Sequence, residues 1–128
     1  MVPISIYGPN LQAGFTLGAL VDTGSTKCMI PAYLNDRRLH LPIAGTDGSV
    51  ETARGRISLD YVMIPRMMLL ANARVTDLGA IMAIGPLETG LYADGIEAWL
   101  GDYPIIGMNF LDRFDITLGR DRHIIFEL

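Results

Sequence analysis

Short apolar runs, each closed by glycine or proline, set the pattern of this chain. Ile4-Ser5-Ile6-Tyr7 alternates and stops at Gly8-Pro9-Asn10, a turn-forming triplet. Phe15, Leu17, Ala19 and Val21 share one face of the next run, and Thr16, Gly18 and Leu20 share the other. That mixture predicts a strand over Phe15 to Val21 buried on both sides. Cys28-Met29-Ile30 is a third short run, closed by Pro31, and the polar stretch from Ala32 to His40 fits a short helix or a loop.

Farther along, Leu41-Pro42-Ile43 and the segment from Val50 flank Gly45-Thr46-Asp47-Gly48-Ser49. Asp-Gly between extended runs predicts a hairpin turn there, because glycine accepts the positive φ of tight turns. Ile57, Leu59, Tyr61 and Met63 then alternate with Arg56, Ser58 and Asp60, the signature of a half-buried strand. Asn72 to Thr76 fits another strand. From Asp77 to Pro104 no period is legible, and one or two strands or a short helix are expected. Ile105-Ile106-Gly107 reads as a buried strand ending at glycine. Met108 to Phe114 has room for about two helical turns. Asp115 to Leu118 and His123 to Phe126 read as a hairpin around residues 119–122.

These elements predict an all-β fold, and the 128 residues, half of them hydrophobic, suit one domain over 1–128 with one core. The net charge is −4, and the basic residues, all arginine except Lys27, are scattered. A nucleic-acid partner would call for a basic stripe, so none is expected. No apolar run approaches the roughly 20 residues of a membrane span, and Met1 to Tyr7 has no signal-peptide pattern. A lone cysteine, Cys28, fits a reducing compartment, so a cytoplasmic location is the expectation.

The chemistry gathers at Leu20-Val21-Asp22-Thr23-Gly24-Ser25, where an acid ends an apolar strand and enters a tight turn. A carboxylate buried there needs donors, and the Gly24 N–H and the Ser25 hydroxyl and N–H are available. Alone, these residues also fit an ordinary Asx turn capping a strand. Ile105-Ile106-Gly107-Met108-Asn109-Phe110-Leu111, far downstream, alone reads as a plain strand-to-helix junction.

Together the two segments resemble the retropepsins, the single-domain, retroviral-type aspartic proteases and their cellular and bacterial relatives. The similarity spans residues 4–76 and 104–128 and includes Val50-Glu51-Thr52-Ala53-Arg54-Gly55, which is similar to flap regions of bacterial members. The resemblance implies a small closed β-barrel of the acid-protease type, with a flap hairpin and one short C-terminal helix. It implies that Asp22 is the catalytic aspartate and that Thr23 hydrogen-bonds across a dimer. Gly24 would donate its N–H to the carboxylate, Ser25 would be a further partner, and Gly107 would pack behind the turn. Gly45, Thr46, Asp47, Gly48 and Ser49 would close over the substrate.

A dimer also follows from chemistry. Peptide hydrolysis by carboxyls needs a base for water and an acid for the carbonyl or leaving nitrogen, and two close carboxyls supply both. This chain has one Asp-Thr-Gly, so a homodimer with one Asp22 per protomer is the simple route to a pair. The resemblance to retropepsins implies that the C-terminal strand, His123 to Leu128, pairs with the partner's termini in such a dimer. The expected partners are a peptide or protein substrate and a second copy.

No cofactor and no metal is expected: His40, His123 and Cys28 have no zinc spacing. Ser25 lies outside a Gly-x-Ser-x-Gly elbow, and no phosphate-binding glycine loop occurs. A negative Asp47 near the flap tip would weaken closure over apolar peptides or favour basic ones. The alternatives are an inactive dimerisation or peptide-binding module on the same fold, and a β-barrel ligand binder in which Asp22 only caps a strand.

Overall fold

A computed structural model describes residues 1–8, 14–52, 54–75, 81–118 and 123–127 of the chain. The strands are β1 (Val2–Tyr7), β2 (Phe15–Val21), β3 (Cys28–Pro31), β4 (Ile43–Thr52), β5 (Gly55–Val75), β6 (Ile81–Gly101), β7 (Ile105–Ile106), β8 (Asp115–Leu118) and β9 (His123–Glu127). A short helix α1 (Ala32–Leu34) runs into a π-helical turn, Asn35–Leu39, and α2 (Met108–Leu111) follows β7.

The strands β1, β2, β7, β3, β6 and β5 neighbour one another in that order, and a β1–β5 pairing closes them into a barrel. The β2–β7 and β3–β6 pairs are parallel and the rest of the ring is antiparallel. The fold is therefore all-β, a closed barrel with a short C-terminal helix.

Val2, Ile4 and Ile6 of β1 alternate inward and meet Ala19, Ile30, Val62, Ile64, Ile96 and Ile106 in the core. Each fully buried aliphatic side chain contributes about 1.5–3 kcal/mol, so the closed ring is the main source of stability. Ser5, buried in that ring, shares a 2.9 Å hydrogen bond with the Thr16 hydroxyl. Phe110 and Leu111 of α2 are fully buried against the same core.

Several expectations needed correction. In β2 only Ala19 is fully buried, and Thr16, Gly18 and Leu20 face outward, so that strand has one solvent face. The hairpin of β4 and β5 turns at residues 52–55, with Thr52 opposite Gly55, and Gly45 to Ser49 lie inside β4. Asp47-Gly48 makes a bulge there: Asp47 faces Leu59 and Val50 faces Ile57, so Gly48 and Ser49 together oppose Ser58. The glycine chemistry that favours a turn also favours a bulge, and the strand continues past it.

The alternating face Ile57, Leu59 and Tyr61 is half-buried or exposed, whereas Val62 and Ile64 on the opposite face enter the core. Within the unreadable stretch, residues 81–101 form one long strand, β6, paired along β5. Helix α2 is a single turn rather than two. The C-terminal strand β9 is no free edge at Ile124, which pairs with Leu118 of β8 on one side and with Ala73 of β5 on the other. β5 reaches beyond the barrel to Val75 and so offers β9 that edge. The expected turns at residues 8–10 and 119–122 involve positions outside the described residues.

Candidate active site

Asp22 stands one residue beyond β2, and the neighbouring strand β7 fixes its backbone. The Leu20 N–H donates to the Pro104 carbonyl at 2.9 Å, and the Asp22 N–H donates to the Ile106 carbonyl at 3.0 Å. The turn then folds back on the acid. The Ser25 N–H donates to the Asp22 carbonyl at 3.2 Å, and the Gly24 N–H donates to Asp22 Oδ1 at 2.9 Å. A Cβ on Gly24 would stand 3.2 Å from that Oδ1, closer than an ordinary contact. The Ser25 hydroxyl is turned away from the carboxylate and donates to the Lys27 carbonyl at 2.7 Å.

A second layer of hydrogen bonds braces the turn from behind. The Met108 N–H donates to the Ser25 carbonyl at 2.8 Å, and the Asn109 N–H donates to the Thr26 carbonyl at 3.1 Å. The Asn109 side chain accepts from the Cys28 N–H at 2.9 Å and donates to the Glu97 carbonyl at 2.7 Å, so one amide joins α2, β3 and β6. Gly107 lies directly against this assembly. A Cβ there would overlap the Lys27 carbonyl group, which no rotamer could relieve. The Gly107 N–H donates to Cys28 Sγ at 3.3 Å. Burial pushes the Cys28 thiol up to about 11, despite that N–H, so Cys28 is a packed thiol rather than a nucleophile.

Asp22, Thr23 and Gly24 are exposed in the single chain, contrary to the expectation of a buried acid. Asp22 and Gly24 lie at a cleft of about 720 Å³. Asp22, Gly24, Ser25 and Thr26 form one part of its lining, and Ser49, Val50, Thr52, Arg54, Ile57 and Leu59 of the β4–β5 hairpin form another. Met29, Trp99, Leu100, Tyr103 and Ile105 complete an apolar surface. At the hairpin turn, Arg54 pairs with Asp102 at 3.2 Å, with both side chains largely exposed.

Of the five residues expected to form the flap, Ser49 lines the cleft. Gly45 lies under the Tyr61 ring, where a Cβ would collide with the phenol, and Thr46 donates to Asp60 at 2.6 Å. The Gly48 carbonyl accepts from the Ser58 hydroxyl at 3.3 Å. Asp47 is engaged by Lys27 at 3.0 Å and by the Trp99 indole N–H. Lys27 also pairs with Glu97 at 2.9 Å and lies over the Tyr61 ring, 4.6 Å from its centroid. The Trp99 and Lys27 contacts hold the Asp47 carboxyl below the ordinary aspartate range. Burial works against the Lys27 charge, but Glu97 and then Asp47 outweigh it and raise its pKa. The Asp47 charge is thus spent inside the protein, which removes the reason to expect a preference for basic peptides.

Sequence reasoning gave no role to Lys27, Trp99 or the Arg54–Asp102 pair, and it named Asn109 only as part of the segment after Gly107. Lys27 and Trp99 carried a compositional signal, since Lys27 is the single lysine beside nine arginines and Trp99 is the single tryptophan.

The sequence matches the family model described as aspartyl protease over residues 3–110, from β1 into α2. No curated protein and no solved structure matches the chain.

Proposed function

The chain belongs to the retropepsin-like aspartyl protease family, and from that premise we propose that it is an endopeptidase whose working unit is two copies, each supplying one Asp22. The observation that carries this reading is the single Asp-Thr-Gly turn, with its carboxylate exposed at the cleft in one chain and braced from behind. One carboxyl cannot be base and acid in the same step. Two carboxyls a few ångströms apart resist double ionisation and hold one proton between them. A second copy facing the first would supply the missing group and shield both from water.

In that unit the ionised carboxylate takes a proton from a water molecule, and the oxygen adds to the substrate carbonyl carbon. The protonated carboxyl gives its proton to the carbonyl oxygen as the tetrahedral diol forms. Proton return to the nitrogen then lets the C–N bond break, releasing an acid and an amine. Gly24 holds Oδ1 of Asp22 in place through its N–H, which keeps the acid oriented as its charge changes. Thr23 would hydrogen-bond between the two copies, and Gly107 keeps the supporting turn close. The substrate would lie extended in the cleft with the hairpin over it, its side chains alternating between the hairpin and the apolar surface.

The test is cleavage of a mixed peptide library by the purified protein and by Asp22→Asn. The expected result is a fall of about a thousandfold or more, with a bell-shaped, acid-centred pH profile in the parent. Cleavage surviving that substitution would end the dyad reading. A folded protein that cleaves nothing in either form would favour a binding module.

A further inference from the structure

We infer that Trp99 is a specificity-determining residue of the cleft, reading a bulky apolar or aromatic substrate side chain, and that Asp47 and Lys27 are positioning residues that hold its indole. The inference rests on the peptide-binding reading of the cleft above, but not on cleavage itself.

Strand register sets the Trp99 ring in a row of facing residues. Gly45, Tyr61 and Trp99 are directly opposite one another across β4, β5 and β6, and Met29 of β3 continues the row. Opposite residues in a ladder share a face, so their side chains stand together. Gly45 has no side chain, and the Tyr61 ring occupies the space above it. Lys27 reaches this row from the loop after the Asp22 turn, with its ammonium over the Tyr61 ring and 5.9 Å from the Trp99 ring centroid.

The one polar atom of the indole is already satisfied. The Trp99 N–H donates to Asp47 Oδ2, the oxygen that also accepts from Lys27 at 3.0 Å. Glu97, two residues before Trp99 on β6, holds the same ammonium at 2.9 Å. Three strands and the loop after Asp22 therefore fix one ring. What the half-buried indole offers the cleft is carbon surface, flanked by Met29, Leu59, Leu100 and Ile105. That lining suits an uncharged, bulky side chain, and an indole face adds an aromatic preference. The bulge at Gly48-Ser49 lets this happen: it resets the side-chain alternation, so Asp47, opposite Leu59, and Val50, opposite Ile57, fall on the same face, and Val50, Ile57 and Leu59 line the cleft.

The experiment uses the sole tryptophan as its own reporter. Two uncleavable peptides with a reduced central amide are titrated into the full chain, one with phenylalanine flanking that bond and one with alanine, while indole emission is followed. Emission should change saturably with the phenylalanine peptide, and binding of the alanine peptide should be about tenfold weaker. Cleavable versions of the two peptides then give kcat and KM. In Trp99→Ala the phenylalanine advantage should disappear through KM, and Trp99→Leu, which keeps apolar bulk, tests the same point if the alanine variant is unstable. Asp47→Asn should shift the emission and raise KM for the phenylalanine peptide alone, with kcat retained. An unchanged phenylalanine-to-alanine ratio in both Trp99 variants would overturn the assignment while leaving catalysis intact. Tight, phenylalanine-selective quenching in a protein that cleaves nothing would support it while the endopeptidase reading fell.

Discussion

The two sides of the cleft are held by different means. The Asp22 turn is fixed by main chain: the Ile106 carbonyl of β7 accepts the Asp22 N–H, the first residues of α2 donate to the Ser25 and Thr26 carbonyls, and Gly107 permits the contact. The β4–β5 hairpin is tied across the cleft by side chains, through Lys27 to Asp47 near its middle and Arg54 to Asp102 at its turn. Main-chain bonds in a closed assembly are indifferent to salt and to modest changes of pH. An exposed ion pair such as Arg54–Asp102 contributes about 0–1 kcal/mol and responds to both, and the half-buried Lys27–Asp47 pair, backed by Trp99 and Glu97, responds to acid through its carboxylate. The Asp22 carboxyl, the proposed catalytic group, is thus carried on the stiff side, and the hairpin proposed to admit a substrate is held at its turn by a contact that is cheap to break.

The largest effect should come from the stiff side. Gly107→Ala forces a methyl group into the Lys27 carbonyl and should cost about 3 kcal/mol in denaturant unfolding. Equal stability in that variant would mean that the turn is not closely backed. Acid should act on the other side first. Asp47 is held below the ordinary aspartate value, so its contacts are intact above about 3.9 and are lost as pH falls through the depressed value. Lys27 stays charged throughout, while Glu97 faces the same ammonium and softens the loss. Trp99 emission should shift in that acid window with the far-ultraviolet dichroism unchanged, and Asp47→Asn should abolish the transition. A shift that persists in Asp47→Asn would place the titrating group elsewhere. The smallest effect belongs to Arg54→Gln, which should change stability by no more than about 0.5 kcal/mol. It should raise the rate of peptide entry at low salt, and an unchanged rate would show that the Arg54–Asp102 pair is no latch.

The same contrast explains what could be read from sequence. Phe15 to Val21 running into Asp22-Thr23-Gly24, and Ile105-Ile106-Gly107 before a short helix, are local main-chain solutions with their own residue signatures. The barrel could be anticipated through the family resemblance these two segments carry, while the patterns alone predicted only an all-β fold. Asp47-Gly48 misled because its chemistry suits a bulge as well as a turn, and nothing local says that β4 continues to Thr52. The period in β5 and β6 is lost for a related reason. Val62 and Ile64 are buried with their partners Ala98 and Ile96, and then Met67 and Leu69 are buried with Ala93 and Leu91. Both strands change face together around Pro65 and Gly95, where Gly95 has a φ of 66°. A simple alternation cannot cross that point. The Lys27–Asp47–Glu97–Trp99 cluster was invisible because its members come from two strands far apart in sequence, β4 and β6, and a loop, joined only by tertiary register.

The central claim is that two Asp22 carboxyls act as one unit, and co-refolding addresses it directly. A fixed amount of parent protein is unfolded and refolded with a ninefold excess of Asp22→Asn, and peptide cleavage is measured. Random pairing in a two-chain unit should leave about a tenth of the activity that the parent shows when refolded alone at the same total chain concentration with an inert carrier. Activity undiminished by the excess would mean that one chain suffices, and the account would be contradicted.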